Sequence, residues 1–423
     1  MTIRKVGPNS TYPTIAAAVD ASAAGDIIRL ETRYSNERAV LTVEDLTVMG
    51  GPTSRNIELV LGVEINDVTL DGLADIRVLD NTDSNIITGN GGDTSVWVSG
   101  GADVVHGGDG RDRLVIDYRG AVTSVVATAG SVTHGETNSV TFDGFEDLTI
   151  SGGSAPDNLT VGDGDHWLNS GGGNDTVTAG AGYTDIKTEG GDDTITAVGG
   201  VVYSGPGNDT ISITDGGSVS AGSGNDTVTT GDGDTFVGGE EGDDTVTTGG
   251  GDDFVDGGEG DDFVRAGAGD DTLMGSYGAD TLSGGRGADR LIGERGKDVL
   301  NGSLDNDTLI GGRDKDVLNG GRGADVFRFD DLDSLLGATD LIGDLNEVED
   351  TIDLSRIDAD VTAAGDQSFV LVGRFSGTAG EANLRYVAAD DVTRLTMDTD
   401  GDGAANIAIV AAGDHRTFDS FVL

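Results

Sequence analysis

The 423-residue chain carries 76 acidic against 25 basic residues, a formal charge of −51, with 72 glycines, no cysteine and 5% aromatics. The absence of cysteine excludes disulfides and cysteine-based zinc sites. The acidity opposes compaction through self-repulsion and argues against nucleic acid or an anionic membrane as a direct partner. No run of about 18 apolar residues exists, so no transmembrane segment is expected.

At the start, Met1 is followed by Thr2-Ile3-Arg4-Lys5 with no apolar stretch, so no Sec-type signal peptide is read. Thr14 to Ala21 predicts a short amphipathic helix with Thr11 or Thr14 as N-cap. After a turn at Gly25-Asp26, strands are expected at Ile27–Leu30, Ala39–Val43, Leu46–Val48, Ile57–Leu61, Val68–Leu70 and Ile76–Leu79. This order resembles the start of pectate-lyase-type right-handed β-helices, and the resemblance implies a helix-capped β-helix segment over residues 1–84. The helix would hide the unpaired strand edges of the first coil. About three coils fit in that length.

Residues 85–247 read as a looser solenoid. Asp112, Asp175, Asp193, Asp209, Asp226 and Asp244 each sit in a Gly-x-Asp setting. The last five are spaced 18, 16, 17 and 18 apart, which predicts one good repeat per eighteen-residue coil and a degenerate opposite half. Residues 114–147 interrupt with β-rich, non-repeating sequence, read as an excursion or hairpin.

From 248 to 328 the chain keeps a strict nine-residue beat. Asp253, Asp262, Asp271, Asp280, Asp289, Asp298, Asp307, Asp316 and Asp325 mark it, each followed two residues later by Val, Leu or Phe. The cleanest copies, such as Gly257 to Arg265, spell G-G-x-G-x-D-x-U-x, with U apolar. Calcium takes six to eight oxygen ligands, glycine lets backbone carbonyls approach an ion, and the aspartate adds a carboxylate. Each unit is then half a turn, with U inward and its neighbours outward. Strict phase with a regular inward residue argues against a disordered Gly/Asp linker, which composition alone would permit. The pattern resembles the RTX (repeats-in-toxin) family, which implies a parallel β-roll with Ca2+ held in its turns. The fifteen aspartates named from Asp112 to Asp325 are the expected metal ligands. About ten ions would neutralise about twenty charges, and folding would be nearly one event with binding. Asp305 and Asp314 replace fourth-position glycines, and Arg286, Arg295, Arg313 and Arg322 put cations in the loops; weaker half-sites are expected there.

Residues 329–423 lose the beat. Asp340–Leu345, Asp350–Ser355 and Phe375–Glu381 resemble the domain after the β-roll in serralysin-type metalloproteases, implying a β-rich cap. The ending Asp419-Ser420-Phe421-Val422-Leu423 resembles an uncleaved type I secretion signal, which implies the type I secretion apparatus as a partner and export from a Gram-negative cell. Asp398 to Gly403 mimics the start of an EF-hand, but Ile409 stands where the twelfth-position glutamate is needed, so a hairpin turn is the reading.

No H-E-x-x-H, G-x-S-x-G or phosphate-loop motif is present, and His106, His134, His166 and His415 are scattered. No catalytic residue is assigned. An enzymatic alternative is a secreted polysaccharide lyase or uronate epimerase, since a β-helix plus an RTX module is the plan of alginate epimerases. Arg29, Arg33, Tyr34, Arg38, Arg55 and Arg77 would then face an anionic sugar. A minor alternative is ice binding by the paired threonines of Thr176–Thr178, Thr194–Thr196, Thr227–Thr229 and Thr245–Thr247, although threonine also simply suits exposed strands. The favoured expectation is a non-enzymatic, all-β, parallel solenoid at the cell surface. It would act in a surface layer, matrix or adhesion, self-associating through calcium or holding a cell-surface polysaccharide.

Overall fold

The computed structural model describes every residue except 32, 33, 52, 53, 137, 331–338, 358, 360–367, 373, 375, 406 and 423, and the side chains of Arg55 and Ile407. Arg33, Phe375 and Leu423 therefore lie outside the described residues. The fold is all-β, a parallel β-solenoid, as the sequence reading expects. It divides into two compact units, Met1–Gly205 and Pro206–Leu423.

In the first unit the strand Ile3–Val6 pairs in parallel with Ile27–Leu30, and successive strands stack from there at roughly twenty-residue intervals. Val40 lies beside Val60, and Val48 beside Leu70. The helix Ile15–Asp20 starts at Thr14, whose Oγ1 accepts the Ala17 N–H at 3.2 Å. Glu37 Oε1 accepts the Ile15 N–H at 2.7 Å, satisfying another of the donors that a helix start leaves free. Ile15, Ala18 and Val19 are buried, so the helix lays its apolar face over the first coil. Further on the period tightens to eighteen: Leu159 lies beside Val177, and Val177 beside Ile195.

The coil breaks once in this unit. Arg113–Asp117 pairs with Asp147–Ser151, thirty-four residues away. The intervening chain forms a hairpin of Val125–Thr128 and Ser131–His134, whose second strand pairs antiparallel with Asn138–Asp143. Leu114 to Asp117 themselves stay in the ladder, so the excursion begins later than residue 114.

In the second unit one column of inward side chains runs Val255, Leu273, Leu291, Leu309, Phe327 and the other Val246, Val264, Leu282, Leu300, Leu318. All ten have no exposed surface. Burying each is worth roughly 1.5–3 kcal/mol, and the alternation in–out at the start of each strand is what lines the roll's interior with apolar side chains.

The ladder runs one coil past the point where the nine-residue spacing stops. Asp340–Ile342 stacks on Val317–Leu318, and Thr351–Asp353 on Val326–Arg328. An antiparallel meander of Glu381–Val387, Val392–Asp398 and Ile407–Ala412 then covers the end, its last strand pairing with Asp340–Ile342. Phe421–Val422 pairs with Ile352–Asp353, so these two residues of the segment read as an export signal are built into the last coil.

Candidate metal centre

Numbering each loop from the first glycine of G-G-x-G-x-D, the second and fourth positions need a left-handed backbone. Gly258 and Gly260 have φ of +111° and +135°, and a Cβ on either would lie within 3.0 Å of a carbonyl of the loop one coil back. Where the sequence departs from glycine the backbone does not: Ser276, Glu294 and Ser303 take φ of +76°, +72° and +85° at second positions. Asp305 and Asp314 take +77° and +78° at fourth positions, so these copies keep the loop shape at a cost in strain.

The first glycine serves a different need. A Cβ on Gly257, Gly275, Gly284, Gly293, Gly302, Gly311 or Gly320 would fall within 3.0 Å of the sixth-position aspartate Oδ2 of the same loop. At Gly293 and Gly302 it would also meet the first-position carbonyl oxygen of the next coil, Gly311 or Gly320. Each glycine thus keeps open a small space beside a carboxylate oxygen, which a backbone oxygen also faces at Gly293 and Gly302.

The sixth-position aspartates form two ladders. Asp244 N–H donates to Asp262 Oδ1 at 2.8 Å, Asp262 N–H to Asp280, Asp280 N–H to Asp298, Asp298 N–H to Asp316, and Asp316 N–H to Asp340. On the other edge Asp253 passes to Asp271, Asp289, Asp307, Asp325 and Asp350. Fifth-position residues run a second, exposed ladder in the opposite sense, as where Asp270 N–H donates to Asp252 Oδ1 at 2.9 Å.

One oxygen of each of these carboxylates is thereby used; at Asp350 the other accepts the Asn346 N–H at 2.7 Å, whereas at most of the ladder it has no such donor. Oδ2 of Asp112, Asp226, Asp244, Asp262, Asp271, Asp280, Asp289, Asp298, Asp307, Asp316, Asp325 and Asp340 is buried with no hydrogen-bond partner. Burial pushes these acids up: to about 7 at Asp226, Asp262, Asp289, Asp298, Asp307, Asp316 and Asp340, and to about 6 at Asp112, Asp244, Asp271 and Asp280. An anion so placed is costly unless it is paired or binds a metal. Orphaned carboxylate oxygens beside stacked backbone carbonyls fit a hard, oxygen-seeking divalent cation such as calcium.

All fifteen aspartates of the sequence reading fall at sixth positions and are buried. At Asp175 and Asp253 the first position is Ser170 or Thr248 instead of glycine, and its hydroxyl lies near the carboxylate. The degenerate edge is also visible: His166, Thr184 and Thr235 hold sixth positions there. Nδ1 of His166 accepts the Leu148 N–H at 3.2 Å, the role an aspartate Oδ1 plays elsewhere. The sequence reading missed Asp103, Asp157, Asp340 and Asp350. Asn85 N–H donates to Asp103 Oδ1 and Val125 N–H to Asp157 Oδ1. The available signal was an aspartate two residues before an inward apolar residue. Arg286, Arg295, Arg313 and Arg322, where weaker half-sites are expected, all have exposed side chains; the Arg295 guanidinium stacks over Tyr277 at 4.9 Å.

The Asp398–Gly403 segment is a hairpin turn between antiparallel strands, with Asp398 accepting from the Gly401 and Gly403 N–H groups at 2.7 and 2.9 Å. Asp398, Asp400 and Asp402 bring oxygens within 4.8 Å of one another. Of the arginines considered for a sugar cleft, Arg38 and Arg77 share the carboxylate of Glu58, and Arg77 also lies over Trp97 at 3.7 Å. Among the described residues no helix is long and apolar enough to cross a membrane.

Coil and loops together define a parallel β-solenoid whose turns are built to hold hard cations. Residues 80–114, 151–186, 214–237, 238–273, 265–300, 274–309 and 293–327 match the family described as RTX calcium-binding nonapeptide repeat (4 copies). The chain carries calcium-binding RTX repeats, in enough copies to bind several Ca2+ ions. Among solved structures it is similar to the AlgE6R2 subunit of the mannuronan C5-epimerase of Azotobacter vinelandii, 28% identical over 36% of this chain and 88% of that one, with a TM-score of 0.22. It is also similar to the AlgE6R3 subunit of that epimerase, 27% identical over 36% and 77%, with a TM-score of 0.20.

Proposed function

We propose that this chain is a secreted structural solenoid that folds on external calcium and serves as building material in a surface layer, matrix or adhesive coat. The observation that supports this reading is the pair of carboxylate ladders, whose unpartnered buried Oδ2 atoms are the kind of oxygen a Ca2+ ion would satisfy. Sixth-position aspartates of the inner ladders, from Asp112 to Asp325 and on to Asp340, are the proposed ligands, with loop carbonyls completing the shell. The outer fifth-position ladder leaves further carboxylates exposed on the same edges, where calcium could join two solenoids.

His106 pairs with Asp143 at 2.8 Å, His134 packs on Tyr118, His166 takes a ladder position, and His415 faces Glu347 at 3.4 Å. The N-terminal groove lined by Glu58, Asp75, Arg77 and Asp93 has more acid than base, a poor fit to a uronate polymer. The threonine rows do stack in register, Thr227 on Thr245 and Thr229 on Thr247, but Phe263 and Arg265 end them on the next coil.

The test is a calcium titration of chelator-treated chain, followed by circular dichroism and light scattering together. Coil-to-β conversion with growth into sheets or filaments is the expected result. Conversion to a stable monomer that turns over uronate polymers would overturn it in favour of the lyase or epimerase reading.

A further inference from the structure

One edge of the second unit carries a charge pattern that the loop shape does not ask for. In the loops ending at Asp244, Asp262, Asp280, Asp298 and Asp316, the third positions are Glu241, Glu259, Tyr277, Arg295 and Arg313. Parallel pairing stacks each of these on the next. The fifth positions of the same loops are Asp243, Asp261, Ala279, Lys297 and Lys315, and all ten residues are exposed. Two acidic coils, a neutral coil at Tyr277 and two cationic coils thus follow one another along a single edge. Cations are scarce in a chain of net charge −51, yet two of its four lysines fall here.

The fold leaves these positions open to choice. On the opposite edge the third position is Gly250, Ala268 or Leu304 as readily as Arg286 or Arg322, and from Gly250 to Ala324 no loop there is charged in both columns. The fifth-position acids do have a second duty, since Asp261 N–H donates to Asp243 Oδ1 at 2.9 Å and Ala279 N–H to Asp261 Oδ1 at 2.8 Å. That ladder needs acceptors, which a lysine side chain cannot supply, so it does not explain Lys297 and Lys315. Glu240 adds to the acidic end. Glu294 and Asp314 temper the cationic end, leaving each of its two loops with one positive charge in excess outside the sixth-position aspartate.

The pattern is self-complementary. Within one chain the nearest opposite coils, those of Glu259 and Arg295, stand two strand spacings apart, roughly 9.6 Å, with Tyr277 between them. A second copy laid antiparallel along the edge sets Glu241 opposite Arg313, Glu259 opposite Arg295, Asp243 opposite Lys315 and Asp261 opposite Lys297. Tyr277, 50% exposed, then meets its own counterpart on the two-fold axis. A parallel copy would set like charges together.

We propose that this edge is a contact between two copies of the chain, antiparallel about a two-fold axis at Tyr277 and specified by charge. It deepens the structural reading, on which it rests, by naming a face through which calcium-folded rolls join without a bridging ion. At physiological ionic strength the Debye length is about 8 Å, so the general repulsion of two acidic chains is screened while charges in contact still select their partners.

Sedimentation velocity of the full-length, calcium-saturated chain at that ionic strength tests the contact, with β content checked by circular dichroism. Expected is a parent dimer that weakens at least about tenfold in Glu241→Arg/Glu259→Arg and in Arg295→Glu/Arg313→Glu, and a heterodimer of parent strength when the two variants are mixed. The first variant is the sharpest arm, because it makes the chain less acidic and simple repulsion would then give tighter association. A folded parent that stays monomeric overturns the proposal, including one whose cationic coils hold a uronate polymer instead. So do variants that associate like the parent, or a mixture that does not recover. If calcium still drives assembly in those cases, the structural reading stands and only this contact falls; a chain that fails to fold in calcium overturns both. Should charge reversal disturb folding, Glu241→Gln/Glu259→Gln decides on the same equilibrium, weaker association for the proposal and unchanged association against it.

Discussion

Without calcium the inner ladders set acid against fold, and the sign of the effect is unusual for carboxylates. Asp262, Asp289, Asp298, Asp307 and Asp316 are pushed up to about 7 by burial, with neighbouring aspartates adding to it. In the unfolded chain each titrates near 3.8, the ordinary aspartate value. Between about pH 4 and pH 7 the folded metal-free state therefore binds more protons than the unfolded one, and its stability falls as pH rises. A shift of about three units corresponds to about 4 kcal/mol per group. Water entering relaxed loops cuts this to roughly 2 kcal/mol, so the five together cost on the order of 10 kcal/mol. That equals the whole stability of an ordinary domain, about 5–15 kcal/mol. Metal-stripped protein should thus lack the roll at about pH 8 and gain β structure on acidification to about pH 5, without any calcium. With calcium present the trend reverses, since protons compete for the same oxygens and the calcium midpoint rises as pH falls below about 7. Circular dichroism of metal-free chain across that pH range is the assay. Equal β content at both ends, or a loss on acidification, would refute the reasoning.

Other substitutions isolate parts of the same argument. Asp298→Asn keeps an oxygen for the Asp280 N–H and removes only charge, so it should raise the melting temperature in chelator at about pH 8 and lower it in calcium; a shift of one sign in both conditions contradicts the ladder account. Gly293→Ala sets a Cβ against Asp298 Oδ2 and the Gly311 carbonyl and should cost more than about 2 kcal/mol along with calcium affinity. Gly238→Ala, in open space, should stay within about 0.5 kcal/mol of the parent in the same denaturant titration. Asp314→Gly removes a left-handed aspartate worth roughly 1–2 kcal/mol of strain and adds glycine freedom to the unfolded chain, a net gain of about 0.5 kcal/mol readable as a higher unfolding midpoint.

Legibility followed periodicity. The inward column from Val255 to Phe327 and the aspartates from Asp253 to Asp325 were readable because every coil makes the same demand at the same spacing. Asp340 and Asp350 meet that demand too, but at 24 and 25 residues from their ladder partners, because extra chain intervenes before the next strand. Asp157 was hidden by the excursion, which sets it 32 residues from the N–H it accepts. Asp103 was hidden by Val98, Ser99 and Gly100 standing where a regular loop begins. What the ladder requires is only a carboxylate one coil away from an N–H, and linear spacing is a proxy for that geometry.

The same distinction explains why one edge of the looser coils tolerates His166 at the sixth position. The inner hydrogen bond to the preceding coil needs an acceptor, and imidazole Nδ1 supplies one to the Leu148 N–H without bringing a negative charge. A coil with one acidic edge carries one buried carboxylate to neutralise; a coil of the regular roll carries two. Calcium dependence should therefore be steepest from Asp253 onward, where Thr235 gives way to aspartate on the second edge. Hydrogen exchange at falling calcium reads this out: amides such as Thr281 and Arg290 should open before Thr176 and Thr194, although the regular repeats look the more perfect in sequence. Opening in the reverse order would mean that the apolar columns, rather than the carboxylate ladders, set the local stability of the solenoid.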